Sequence, residues 1–256
     1  MSLPHGPLRY WKGGQGRPVL LIHGAWGDAE SHWSGVWDRL ATRFTVLAPD
    51  VPGSGASALH PRASCSTLAA DLAAVLDREA QGPALVVGNS FGAALAWQLG
   101  ADHKDRVERL LLVNGGPLPP VPAWLRRVLG GPPLAGLATF LLRRASFRRL
   151  VVERALVDPS AFPPGFVERA VAGGGAAARI GFDAVRYQST GPRRPEAPVA
   201  LLWGAADTLL PMARARRLAQ RLGTPLKAMA GAGHLPQVQD PAGFADAVLD
   251  WAGSEH

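Results

Sequence analysis

Short apolar runs alternate along this chain with stretches in which apolar residues recur every three or four positions. Pro18-Val-Leu-Leu-Ile22, Phe44-Thr-Val-Leu-Ala48, Ala84-Leu-Val-Val87, Arg109-Leu-Leu-Leu-Val113, Pro198-Val-Ala-Leu-Leu-Trp203 and Leu226-Lys-Ala-Met-Ala230 are short and mostly apolar. Runs of this kind predict strands buried on both faces, and residues 8–11 predict one more short strand. Helical spacing marks residues 30–43 (Trp33, Val36, Trp37, Leu40) and 68–80 (Leu68, Leu72, Val75, Leu76), the latter capped by Ser66 or Thr67. Further helices are expected from Phe91 to about Gly100, over 213–222 and over 244–252. Strands alternating with helices predict an α/β fold, a mostly parallel doubly wound sheet. Ligands in such sheets bind at the carboxyl ends of the strands, where His23-Gly24, Asp50, Ser90, Asn114 and Gly204 to Asp207 all fall.

The rhythm breaks between residues 117 and 195. This segment opens on Pro117, Pro119, Pro120 and Pro122 and closes on Gly191-Pro-Arg-Arg-Pro195. Helical patterns fill it, chiefly over 134–156, where Leu137, Phe140, Leu141, Phe147, Leu150 and Val151 alternate with arginines. The expected organisation is a core of residues 1–116 and 196–256, with residues 117–195 inserted as a helical cap over the strand ends. The length of 256 residues, 47% hydrophobic and 18% charged, suits one such domain.

Composition excludes several function classes. The net charge of +7 comes mostly from arginines in the middle of the chain, and no nucleic-acid motif accompanies them, so nucleic-acid binding is not expected. No uncharged run reaches bilayer length, so no membrane span is expected. Residues 1–16 lack the basic-then-apolar pattern of a signal peptide. One cysteine, Cys65, excludes an internal disulfide and fits a reducing, cytoplasmic setting; a lone thiol is expected to be inert. The histidines are scattered, so neither a metal site nor a cofactor is expected.

The candidate chemistry centres on Gly88-Asn-Ser-Phe-Gly92, which follows an apolar run and opens a helix. In a glycine-rich chain this pattern alone arises by chance in roughly one case in six, so the surroundings must decide. A serine hydroxyl needs a base within hydrogen-bond reach, usually a histidine held in one tautomer by a carboxylate. Asp207 follows one predicted strand and His234 the next, giving the order Ser90, Asp207, His234. An oxyanion needs two donors, expected to be the backbone N–H groups of Phe91 and of Ala25 in the loop His23-Gly-Ala-Trp-Gly27. His23 is expected to hold that loop, His32 to reach the pocket without a carboxylate to orient it, and Asp50 to form a turn. His5, His60, His103 and His256 are expected to be solvated. Trp26, Trp33 and Trp124 are candidates for the substrate pocket, with core packing the alternative for each.

Five motifs in order carry a resemblance: His23-Gly-Ala-Trp26, Asp50-Val-Pro-Gly-Ser-Gly55, Gly88-Asn-Ser-Phe-Gly92, Trp203-Gly-Ala-Ala-Asp207 and Gly233-His234-x-Pro236. Outside the cap the chain resembles the α/β-hydrolase superfamily. The resemblance implies a mostly parallel eight-stranded sheet, a Ser90–His234–Asp207 triad and an oxyanion hole at Ala25 and Phe91. Length, cap and the His-Gly-x-Trp-Gly loop look like small carboxylesterases acting on pimeloyl carrier-protein methyl ester, whose cap arginines meet an acidic carrier protein. Arg143, Arg144, Arg148 and Arg149, expected on one helix, are the matching positions, with an ordinary solvated face the preferred reading. The expected activity is hydrolysis of a carboxylic ester or thioester. Carbon–carbon hydrolysis, acyl transfer or cyclisation on the same triad, and a low-turnover ligand receptor, remain as alternatives.

Overall fold

Five of the predicted apolar runs become buried strands of one eight-stranded sheet in the computed structural model, which describes residues 2–4, 8–58, 63–118, 122–129, 132–186 and 193–253; the sixth, Leu226–Met229, is an edge strand and mostly unburied. In chain order the elements are β1 (Ser2–Pro4), β2 (Arg9–Gly13), β3 (Arg17–Ile22), α1 (Ala29–Trp33), α2 (Trp37–Ala41), β4 (Phe44–Pro49), α3 (Cys65–Glu79), β5 (Ala84–Asn89), α4 (Phe91–Asp102) and β6 (Val107–Val113). Then follow α5 (Ala123–Leu129), α6 (Pro132–Ser146), α7 (Arg149–Ala155), α8 (Phe166–Arg186), β7 (Val199–Gly204), α9 (Met212–Leu222), β8 (Leu226–Met229), α10 (Pro236–Gln239) and α11 (Pro241–Gly253). The strand order is β1-β2-β4-β3-β5-β6-β7-β8. Only the β1–β2 and β2–β4 pairs are antiparallel.

Because successive side chains of a strand point to opposite faces, each buried strand feeds two cores. Leu20, Ile22, Val86, Leu110, Leu112 and Leu201 pack with α3, α4 and α9 on one face. Val19, Leu21, Leu85, Val87, Leu111 and Leu202 pack with α1, α2 and α11 on the other. This two-sided burial is why these strands read as continuous apolar runs.

Several elements differ from the sequence reading. The helix expected over 30–43 is two short helices, parted at Ser34-Gly-Val36, where Gly35 lies against Pro241. The cap of α3 is Ser64, which accepts the Thr67 backbone N–H while Thr67 answers with its hydroxyl, so Ser66 and Thr67 lie inside the helix. The helix expected over 134–156 breaks between Ser146 and Arg149, which puts Arg143 and Arg144 on α6 but Arg149 on α7. The strand β1 and the helix α10 have no counterpart in the sequence reading, and α5 and α8 fall within the expected helical segment 117–195 without bounds of their own. Between β6 and β7 the described chain is helical, and a third apolar cluster joins Trp26 and Leu235 to Phe147, Val152, Phe162, Phe166 and Ala178. The positions His5, His60, Pro119, Pro120, Gly191 and His256 lie outside the described residues.

Candidate active site

The turn between β5 and α4 sets one hydroxyl apart from the chain. Ser90 has φ 55° and ψ −114°, a conformation that L-residues adopt only under constraint. The constraint is close backbone packing. A Cβ on Gly88 would stand 2.3 Å from the Gly92 carbonyl oxygen, and one on Gly92 would stand 2.2 Å from that of Ile22. The two glycines let α4 fold back on β5 and press against the end of β3. The Ser90 N–H donates to the Val113 carbonyl at 2.8 Å, which ties the turn to β6.

Ser90 Oγ lies 2.8 Å from His234 Nε2, and His234 Nδ1 lies 2.9 Å from Asp207 Oδ2. A carboxylate only accepts, so the imidazole proton sits on Nδ1 and Nε2 faces the serine as an acceptor. Asp207 is almost fully buried, and Oδ1 accepts from the Leu209 and Leu210 N–H groups at 2.8 and 3.0 Å. Asn114 Nδ2 donates to Oδ2 at 2.6 Å. Burial works against the charge on Asp207, but the His234 hydrogen bond and charge, with the Leu210 and Asn114 donors, hold its carboxyl below the ordinary carboxylate range.

The loop after β3 closes the other side. His23 is buried; its Nδ1–H donates to the Gly24 carbonyl at 2.6 Å, and its Nε2 accepts the Val51 N–H at 2.8 Å. His32 donates through Nε2–H to the Trp26 carbonyl, and its Nδ1 accepts from Gln237 at 3.1 Å. Both rings use both nitrogens as neutral imidazoles, and burial pushes both pKa values down, that of His32 to about 3. Asp50 accepts the Ala29 and Ala56 N–H groups, which is turn-holding work. Ala25 and Phe91 flank Ser90 in a cavity of about 270 Å³, and neither backbone N–H has an acceptor among the described residues.

The described lining of that cavity includes Trp26, His32, Ser90, His234 and Leu235 from the sheet side and Leu142, Ser146, Phe147, Ala177 and Gly181 from α6 to α8. Trp26 stands edge-on to His234 at 5.6 Å, and its indole N–H donates to the Ser146 carbonyl. Trp33 is not among the lining residues; it is fully buried beside Phe244 in the α1–α11 core. Trp124 is 66% exposed and lies outside the lining as well. Arg149 is engaged by Glu153 and Glu168. His103 is half-buried rather than fully solvated. Cys65 is buried, and its thiol is pushed up to about 12 by burial, which leaves no thiolate at neutral pH.

Sequence reasoning missed Asn114, noted only as a strand end, and Gln237. It also missed the structural work of Asn89, whose Nδ2 reaches the Val113 and His234 carbonyls at 3.3 and 3.2 Å. The available signal was an asparagine before Gly115-Gly116, since Asn tolerates the left-handed conformation found at Asn114, φ 44°. Among the described residues no helix is long and apolar enough to cross a membrane, and no cluster of His, Cys, Asp and Glu has a metal-binding arrangement.

Comparison with known proteins adds four findings. A model of the alpha/beta hydrolase family matches residues 19–247. An uncharacterized protein of Mycobacterium tuberculosis is 34% identical over a 272-residue alignment, which spans 95% of this chain and 78% of that protein. A pimeloyl-[acyl-carrier protein] methyl ester esterase of Chromobacterium violaceum is 41% identical over 104 residues, 41% of this chain and 39% of that enzyme. The crystal structure of a hydrolase from Pseudomonas aeruginosa superposes with a TM-score of 0.73 at 26% identity, covering 99% of this chain and 98% of that one.

Proposed function

Because the chain belongs to the alpha/beta hydrolase family, we propose that it is a serine hydrolase that cleaves a carboxylic ester or thioester through an acyl-enzyme. The observation that carries this reading is the hydrogen-bonded line from Ser90 through His234 to Asp207, at 2.8 and 2.9 Å, with Ser90 and His234 lining an apolar cavity. Ser90 Oγ attacks the substrate carbonyl carbon while His234 Nε2 takes its proton. The carbonyl π electrons move to oxygen, where the N–H groups of Ala25 and Phe91 receive the negative charge. When the intermediate collapses, the bond to the leaving alkoxide or thiolate breaks, and that group takes the proton from His234. Water then adds to the acyl-enzyme by the same route, giving its proton to His234, and Ser90 recovers a proton as the acid departs. Asp207 keeps the imidazole in the required tautomer and stabilises its charged form.

Helices α5 to α8 are read as a cap, residues 117–195 in all, because Leu142, Ser146 and Phe147 wall the cavity from that side. At about 270 Å³ the cavity suits a small to medium acyl group. The esterase among the relatives supports ester chemistry, and the single cysteine suits a cytoplasmic setting. The test is turnover of aryl esters of graded acyl length by wild type and Ser90→Ala, beside labelling with a fluorophosphonate. Ser90→Ala is expected to lower kcat by at least about 10⁴-fold and to abolish labelling; retained turnover would sink the mechanism.

A further inference from the structure

Helix α6 has two apolar sides, and only one of them is used. Leu142 and Ser146 line the cavity. Leu134, Leu137, Phe140 and Leu141, spaced at helical intervals on the other side, are exposed to solvent by 44%, 52%, 53% and 54%. Leu150 on α7 and Trp124 on α5 are also exposed. A helix normally turns such a stripe toward the core. Scattered exposed leucines need no explanation, but a run of large apolar side chains on adjacent helices marks an interaction surface.

The same helices carry a local excess of positive charge. From Ala123 to Ala155 there are seven arginines against the single carboxylate of Glu153, in a chain whose net charge is +7. Arg127, Arg143, Arg144 and Arg148 are exposed and have no carboxylate partner among the described residues. The Arg144 guanidinium lies 5.5 Å above the Phe140 ring, its stem following the apolar stripe and its charge at the edge.

We infer that the outer face of α5, α6 and α7 is a docking surface for an anionic lipid bilayer. The occupant has to take the Arg144 charge and the bulky Leu and Phe side chains beside it on the same face of α6. Phosphate headgroups above hydrocarbon offer both at once, and a basic helix carrying Leu and aromatic residues is the sequence form that lies in such an interface. An acidic protein matches the arginines but leaves the apolar stripe unanswered. A second copy of this chain doubles the arginines on the contact and adds only a second Glu153 to answer them. Docking through this face sets the cavity one helix away from lipid, across α6. The surface stands on exposure and charge alone, independent of any role for Ser90.

The test is co-sedimentation of the 256-residue chain with vesicles of phosphatidylcholine, alone or mixed with phosphatidylglycerol, at low and high salt. Binding is expected on the mixed vesicles and about tenfold or more weaker on phosphatidylcholine alone or at high salt. Leu137→Gln with Phe140→Gln is expected to lower binding about tenfold or more with an unchanged Tm, since both side chains are already exposed. Arg143→Gln with Arg144→Gln is expected to weaken binding and flatten its salt dependence, and provides a second variant if the first misfolds. No binding to the mixed vesicles overturns the inference. So does binding that ignores the apolar pair, or a dimer in sedimentation velocity that the same pair dissolves. Binding to an acidic protein without binding to vesicles assigns the face to that other partner and overturns it equally.

Discussion

Asn114 supports both the acid and the base of the proposed triad from a single backbone position. Its Nδ2 donates to Asp207 Oδ2 at 2.6 Å and to the Gly233 carbonyl, next to His234, at 3.3 Å, while its Oδ1 accepts the Gly204 N–H at 3.0 Å. Asn114→Ala leaves those buried groups short of a partner and puts a Cβ-bearing residue without a polar side chain in a left-handed conformation. The expected cost is about 1–3 kcal/mol of stability, measured by urea unfolding, because an orphaned buried polar group loses its desolvation compensation. With Asp207 less firmly held, kcat is expected to fall about tenfold or more with KM little changed. A stability loss with kcat unchanged would mean that the Leu209 and Leu210 amides hold Asp207 by themselves. Ser90, Asp207 and His234 were legible in the sequence because each stands just past an apolar run and each residue type has chemistry of its own. Asn114 stands in the same kind of place, yet Asn before Gly-Gly reads as a turn. Its role depends on what β7 and the His234 loop bring against it, and one-dimensional spacing does not carry that information.

Among the elements, the buried strands were the most legible, because burial on two faces leaves a continuous apolar run. Breaks inside helices were the least legible. From Leu134 to Leu156 the three-to-four spacing continues across the gap at Phe147, so the pattern predicts one helix where two form. Packing makes the difference. Phe147 is buried against α8, where the absence of a side chain at Gly174 makes room; a Cβ there would stand 2.5 Å from the Phe147 Cβ. Phe147 also lines the cavity, so this contact sets both the fit of the helices and the depth of the pocket. Phe147→Ala is expected to destabilise the fold by about 3–5 kcal/mol, the usual cost of removing a buried phenylalanine. It should also raise the kcat/KM of longer acyl esters relative to shorter ones, read from the graded ester series. An unchanged chain-length profile would show that Phe147 does not bound the acyl group.

At the scale of the whole molecule, charge is segregated. Residues 123–155, on α5 to α7, carry seven arginines against one carboxylate, while two neutral imidazoles, His23 and His32, are buried with ring centres 5.5 Å apart. The arginine excess was legible from composition, but its exposure beside unburied leucines required the fold. The buried pair gives the chain a defined weakness to acid. Above about pH 6.5, His32 is neutral in both folded and unfolded states and contributes no pH dependence. Below that, the unfolded chain takes up a proton that the folded chain refuses until pH nears about 3. Stability therefore falls with pH by about 1.4 kcal/mol per unit for this residue. His23, also held below its ordinary value, acts in the same direction. Asp207 enters later: its folded pKa is depressed, so its contribution persists through this window and is lost only as pH falls through and below the carboxylate range. His32→Gln keeps a donor for the Trp26 carbonyl and removes the titration. Urea unfolding between about pH 4 and pH 6 should then show a stability slope shallower than wild type by about 1.4 kcal/mol per pH unit, whatever the variant loses at pH 8. Equal slopes would mean that the folded protein protonates His32 and that the hydrogen bonds of its two ring nitrogens give way before the fold does.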